Sequence, residues 1–265
     1  MEYAGAATPP VALVVGAGGP TGGPYIWSAL QAIHERTGWS PEMASAVVGT
    51  SAGAFVAARI GLQKTPSALA TEQLLLLENG RLFRPGKRTM LAAGLRGVAA
   101  RVVAAVAPLS RPAAEYTVPQ GPYHEAAMAV TVQRRSGVRH QHDLNDATDS
   151  TAVVRASAAI PGLNKPVEVD GVYHVDGAVN SANNVDLLDP EEHPVVLVIS
   201  PMIPASGGSL VSRSHRAQLR RELKPWMEPG RAAIVVMPSA EAHRERRDRE
   251  RYEPEGAKSV ARLGK

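Results

Sequence analysis

Apolar residues along this chain gather into short unbroken runs, each followed by glycine and then by a stretch with helical spacing. Val11-Ala-Leu-Val-Val15 is the first run, and continuous apolarity over this length is the pattern of a strand buried on both faces. Residues 16–23 form a glycine-rich turn. Ile26, Ala29, Leu30 and Ile33 then recur at helical spacing, and Gly38 closes the helix. Residues 44–48 predict a second buried strand, 49–53 a second turn, and Phe55, Ala58 and Ile60 a second helix. Two such β-turn-α units in succession predict a three-layer α/β sandwich with a mainly parallel sheet. Further strands are expected over 127–133, 171–175, 195–200 and 232–237.

The pattern reads as a single domain over 1–265, with its core at about 10–240. It includes a helical insertion or cap at 66–120, a flexible Ser206-Gly-Gly-Ser209 loop and a charged C-terminal tail at 241–265. Leu91, Leu95, Val98, Val102, Val106 and Leu109 lie on one helical stripe. Such a stripe is either core-facing or, with Lys87 and Arg88 meeting head groups, a peripheral membrane contact through 87–109. No apolar run approaches the roughly 20 residues of a membrane-spanning helix, and the N-terminus lacks the basic residues of a secretory signal. A cytoplasmic protein, free or peripheral at a membrane, is expected.

Composition changes this picture little. Hydrophobic residues make up 44% and charged residues 20%, and the formal charge of +4 is too small to imply a nucleic-acid partner. The chain has no cysteine, which excludes disulfides, thiolate nucleophiles and Cys-based metal sites.

Gly49-Thr50-Ser51-Ala52-Gly53 places G-x-S-x-G between a buried strand and a helix. A serine in a sharp strand-to-helix turn is pushed out of the packed layers toward substrate, and the flanking glycines allow the backbones to approach. Ser51 is therefore a candidate nucleophile, the alternative being a serine that only caps the helix. The turn Gly16-Ala-Gly-Gly-Pro-Thr-Gly-Gly23 also joins a strand to a helix. It does not fit dinucleotide binding, because the third glycine position holds Thr21 and no acidic residue ends the second strand. Backbone N–H groups at Gly18 and Gly19 are candidate oxyanion donors, with a purely structural turn as the alternative.

A conventional triad would draw on His193, His215 or His243, which lie beside proline or among charges and read as solvated. Farther along stand Ala156-Ser-Ala-Ala-Ile-Pro-Gly-Leu163 and Val175-Asp-Gly177-Ala178. With these blocks in this order after the glycine turn and the elbow, the chain resembles the patatin-like phospholipase family. The resemblance implies a Ser–Asp dyad in which Asp176 acts directly on the Ser51 hydroxyl, cleaving lipid carboxylic esters without metal or organic cofactor. Burial would have to lift the pKa of such an aspartate above its ordinary value near 3.9. The family's G-G-G-x-R-G turn is altered here, with Pro20 at the third glycine and Gly22 at the arginine, while Gly16 and Gly23 remain. Those departures leave open a catalytically weak or inactive relative that binds lipid or a partner.

Overall fold

In the computed structural model the described residues are 9–60, 121 and 123–251, with side chains as far as 245. The expected cap at 66–120, its 87–109 stripe and the tail beyond 251 lie outside the described residues. Strands β1 (Val11–Val15), β2 (Ala46–Gly49), β3 (Ala127–Gln133), β4 (Arg139–Asp143), β5 (Val167–Val169), β6 (Val172–Asp176), β7 (Val195–Ile199) and β8 (Ala232–Val236) form one sheet, ordered β5-β6-β3-β2-β1-β7-β8 with β4 on β3. Among the described residues the α-helices are α1 (Gly22–Thr37), α2 (Ala52–Ala57), α3 (Ser150–Ser157), α4 (Leu210–Glu222) and α5 (Ala240–Arg251).

The unbroken apolar runs are explained by two cores. Leu13, Val15, Val47, Leu197 and Ile199 face α1 and α2, meeting Ile26, Trp27, Leu30 and Val56. The alternate residues Ala12, Val14, Val48, Val196 and Val198 face the other way, onto Leu219, Leu223 and Trp226 of α4 and the turn after it. Ala127 and Ala129 continue the first face against Val153 and Val154 of α3. Helices thus cover both sides of the sheet, and the expected three layers are present.

Four strand pairs are parallel: β1–β2, β1–β7, β2–β3 and β7–β8. β1 is followed by α1 on one face and its neighbour β7 by α4 on the other, and loops at the carboxyl ends of such strands line the usual ligand crevice. The far end of the sheet is antiparallel, where β3 meets β4 and β6. Register shows how β3 is shared. Val47–Gly49 of β2 pair with Ala127–Ala129, and Asp176–His174 of β6 pair with Thr131–Gln133, while β4 covers Met128–Val132. A strand has two edges, so β2 and β6 must lie end to end on the edge that β4 leaves. Running in opposite senses, they meet carboxyl end to carboxyl end at Val130.

Strand β5 and helices α3 and α4 were not foreseen, nor were two local features. Strand β4, Arg139-His-Gln-His-Asp143, has no apolar residue to mark it, and Ser209 does not sit in a simple flexible loop but caps α4 by accepting from the Ser212 N–H. The strand read over 171–175 ends one residue later, so Asp176 is itself the last residue of β6.

The layers touch most closely at Gly53, where an added Cβ would lie 1.8 Å from the Val15 carbonyl oxygen. Gly53→Ala is therefore expected to cost about 3 kcal/mol in urea denaturation. Gly38→Ala, at the left-handed cap of α1 (φ 72) with open space around it, should cost only about 1 kcal/mol. Equal costs would contradict the close approach of α2 to β1.

Candidate active site

The site grows from the point where β2 and β6 meet. Chain direction forces the turn after β2 and the last residue of β6 together, and these carry Ser51 and Asp176. Both are buried, at 5% and 2% exposure. The Asp176 carboxylate accepts a hydrogen bond from the Ala178 backbone N–H, at 2.8 Å, and the Ser51 side chain stands as a second donor favouring its ionised form. Burial pushes the Asp176 carboxyl from its ordinary 3.8 up to about 7, against the opposing pull of these two donors.

Ser51 holds φ 57 and ψ −117, a conformation that costs a residue with a Cβ about 1–3 kcal/mol. It occupies the N-cap position of α2, yet its side chain makes no capping hydrogen bond. Helix capping therefore does not account for this serine. The turn around it is pinned on every side: Thr50 N–H donates to the Val15 carbonyl, Gly53 N–H to the Thr50 carbonyl and Ala54 N–H to the Ser51 carbonyl.

A residue without an assigned role in the sequence completes the pinning. The Ser51 N–H donates to Ser157 Oγ at 2.9 Å, and that hydroxyl donates to the Val130 carbonyl at 2.7 Å. Val130 is the β3 residue between the stretches paired by β2 and β6, so its carbonyl has no strand partner on that edge. Ser157, at the end of α3 and fully buried, fills the gap. The Ala-Ser-Ala-Ala-Ile-Pro block was the signal for it. On the other side of the gap, a Cβ at Gly177 would lie 2.4 Å from the same Val130 oxygen, which explains the small residue after Asp176. The Ala178 N–H then serves the carboxylate.

The glycine turn lies alongside. Gly16 N–H donates to the Ile199 carbonyl and Ala17 N–H to the Ala182 carbonyl. Gly18 packs so closely that a Cβ would meet Gly22 Cα at 2.4 Å, and Gly19 takes φ 61. Among the described residues no acceptor takes up the Gly19 N–H. Gly22 opens α1 and is buried, with Gly23 beside it. A Cβ on Gly22 would stand 3.2 Å from that of Ala52, the residue after Ser51. The small residue lets the N-terminus of α1 approach the elbow, and the helix dipole there favours negative charge. An arginine at this position would press on Ala52.

The three histidines weighed for a triad lie elsewhere. His193 bonds Ser45 through Nδ1 at 2.9 Å, before the start of β7. His215 on α4 and His243 on α5 are buried, at 9% and 6% exposure, contrary to the expectation that they are solvated, because each turns inward from its helix. Three others, His140, His142 and His174, gather beside Thr131, the register partner of Asp176. Thr131 Oγ1 stands 2.8 Å from both His142 Nε2 and His174 Nδ1. Burial, then the neighbouring His142 and His140, lowers the His174 pKa to about 4, and burial lowers that of His142. Both are neutral near pH 7 and satisfy the sheet face next to the acid. Among the described residues no group of three His, Cys, Asp or Glu is placed to hold a metal ion.

With this geometry in place, the relatives can be read. The model of the family described as patatin-like phospholipase matches residues 13–189, from β1 past the acid-bearing strand. The chain belongs to the patatin-like phospholipase family. Uncharacterized NTE family proteins of Mycobacterium bovis and Mycobacterium tuberculosis are 32% identical over 183 residues, covering 68% of this chain and 45% of theirs. The chain thus spans about half the length of the curated relatives it matches. Among solved structures, VipD from Legionella pneumophila is similar at TM-score 0.42 and 15% identity, over 80% of this chain and 53% of that one. Among the described residues no helix is long and apolar enough to cross a membrane.

The strain at Ser51 is measurable. Ser51→Gly is expected to be more stable than Ser51→Ala by about 1 kcal/mol, because alanine keeps the Cβ that makes φ 57 costly. Denaturation of the two variants under one condition checks this, and a more stable alanine variant would mean that the turn is unstrained.

Proposed function

We propose that this protein is a serine esterase acting on carboxylic esters of lipids, with Ser51 as nucleophile and Asp176 as its base. The observation that carries the proposal is that the strained turn brings buried Ser51 to a buried carboxylate, Asp176, whose pKa burial pushes up to about 7. An ordinary aspartate is too weak a base to activate an alcohol, and moving its pKa toward the working pH is what general-base catalysis requires.

The reaction follows in two halves. Ser51 Oγ attacks the ester carbonyl as its proton passes to Asp176, and the carbonyl oxygen becomes an oxyanion. Backbone N–H groups of the glycine turn, Gly18 and Gly19, are the proposed donors to that oxygen, where one donor is typically worth about 10²–10³ in rate. Collapse breaks the ester C–O bond, and the proton on Asp176 leaves with the alcohol, giving an acyl-Ser51 intermediate. Water then attacks the acyl carbon, its proton taken by Asp176, and the fatty acid departs as Ser51 regains its hydrogen. The steps call for no metal or organic cofactor.

A second reading is a relative that binds lipid or a partner and turns over weakly. It draws on Pro20, which has no N–H to donate where the family motif has a glycine.

Hydrolysis of p-nitrophenyl butyrate separates the two. Ser51→Ala should abolish turnover, and Asp176→Asn should lower kcat by about 10²–10⁴-fold. Because the carboxylate form is the base, kcat/KM of the wild type should rise with pH, reach half its plateau near pH 7 and fall about tenfold for each unit below. Full activity in Ser51→Ala, or a flat profile between pH 5 and 8, would overturn the dyad. Wild-type turnover no faster than that of Ser51→Ala would favour the binding relative.

A further inference from the structure

A fully buried asparagine ties the turn before Ser51 to the loop that follows the acid. Asn184 is completely buried and adopts φ 58, ψ 40, the left-handed conformation that asparagine and glycine tolerate best. Its side chain is used at both ends. Oδ1 accepts from Arg139 Nη1 and from Asn180 Nδ2, each at 3.1 Å. Nδ2 donates to Thr50 Oγ1 at 3.1 Å and to the Ser181 carbonyl at 2.8 Å.

The surroundings decide which way the amide points. Arg139 can only donate, and it is held by a two-pronged ion pair with Asp186, at 2.8 and 2.9 Å. Oδ1 must therefore face Arg139, and the N–H₂ must face Thr50. The backbone is fixed as well: Asn184 N–H donates to Ser181 Oγ, and the Val185 N–H donates to Glu222 Oε2. Glu222 also engages Ser181, and burial raises its pKa. Thr50 is itself fully buried and precedes Ser51 directly.

We propose that Asn184 is a positioning residue that holds the Thr50–Ser51 turn in its strained conformation. This inference rests on the hydrolase reading above. Ser157 fixes the Ser51 N–H, and Asn184 fixes the side chain of the residue before it. Freed from Asn184, Thr50 can rotate and the turn can relax, moving the Ser51 hydroxyl off the Asp176 carboxylate. Asp176 ends β6 and Asn184 lies in the loop that follows it, so nucleophile and acid are located by one segment.

The test is Asn184→Gly, which keeps the left-handed backbone without strain and removes only the amide. On p-nitrophenyl butyrate, kcat should fall about 10–100-fold, as expected for a displaced reacting group, with KM within about twofold. Amide hydrogen exchange over 47–55 should quicken at least about tenfold while the rest of the sheet is unchanged. Adding Thr50→Val should lower kcat no further, because the two residues share one interaction. A kcat within twofold of wild type, unchanged exchange over 47–55, or exchange quickened across the whole sheet would each overturn the proposal. If the wild type hydrolyses no ester, the hydrolase reading fails, and exchange over 47–55 alone decides whether Asn184 holds the turn.

Discussion

The site depends on one gap in one strand edge. β3 offers a single edge to two strands running toward each other, and it has one residue, Val130, that neither can pair. A carbonyl left unpaired in a dry interior costs on the order of 1–3 kcal/mol. The Ser157 hydroxyl removes that cost and, by accepting from the Ser51 N–H, turns the repair of a sheet into the anchor of a turn. Had β2 and β6 been neighbours side by side, their carboxyl ends would not face each other, and Ser51 and Asp176 would not meet. The small residues Gly53 and Gly177 follow from the same crowding, since β-carbons there would strike the Val15 and Val130 carbonyls.

Such a site is costly to fold. The Ser51 backbone is strained, and Asp176 is buried with a pKa near 7 instead of 3.8. A raised carboxyl pKa means the native state prefers the protonated form. Stability from this group is therefore full below about pH 4 and is lost as pH rises through about 7. The packed layers offset this, with apolar side chains packed on both faces of β1, β2 and β7. The turn is unstable by itself and is over-determined by its neighbours: strand β1 through Val15, helix α3 through Ser157 and the loop after β6 through Asn184.

The central architecture was legible because burial on both faces leaves an unmistakable mark. The runs at 11–15, 127–133 and 195–200 can be little else, and glycine after each of the first two parallel strands flags a tight strand-to-helix turn. β4 was invisible for the opposite reason. Its Arg-His-Gln-His-Asp sequence is held by pairing to β3 and by the polar cluster around Thr131, neither of which appears in a hydrophobic pattern. The same limit applied to the site. Ser51 and Asp176 stand in local motifs, whereas Ser157 and Asn184 act through contacts 106 and 134 positions away along the chain. His215 and His243 looked exposed because their neighbours are charged, but helical periodicity turns each of them inward. Legibility ended where function depends on what lies across the sheet.

The most direct test of the account is chemical labelling of the intact protein with a fluorophosphonate, followed by peptide mapping. An activated serine beside an ionised base displaces fluoride and retains the phosphonyl group, so the account predicts one label, on Ser51, that forms faster at pH 8 than at pH 6. Absence of label, or label on any other residue with Ser51 unmodified, would contradict it.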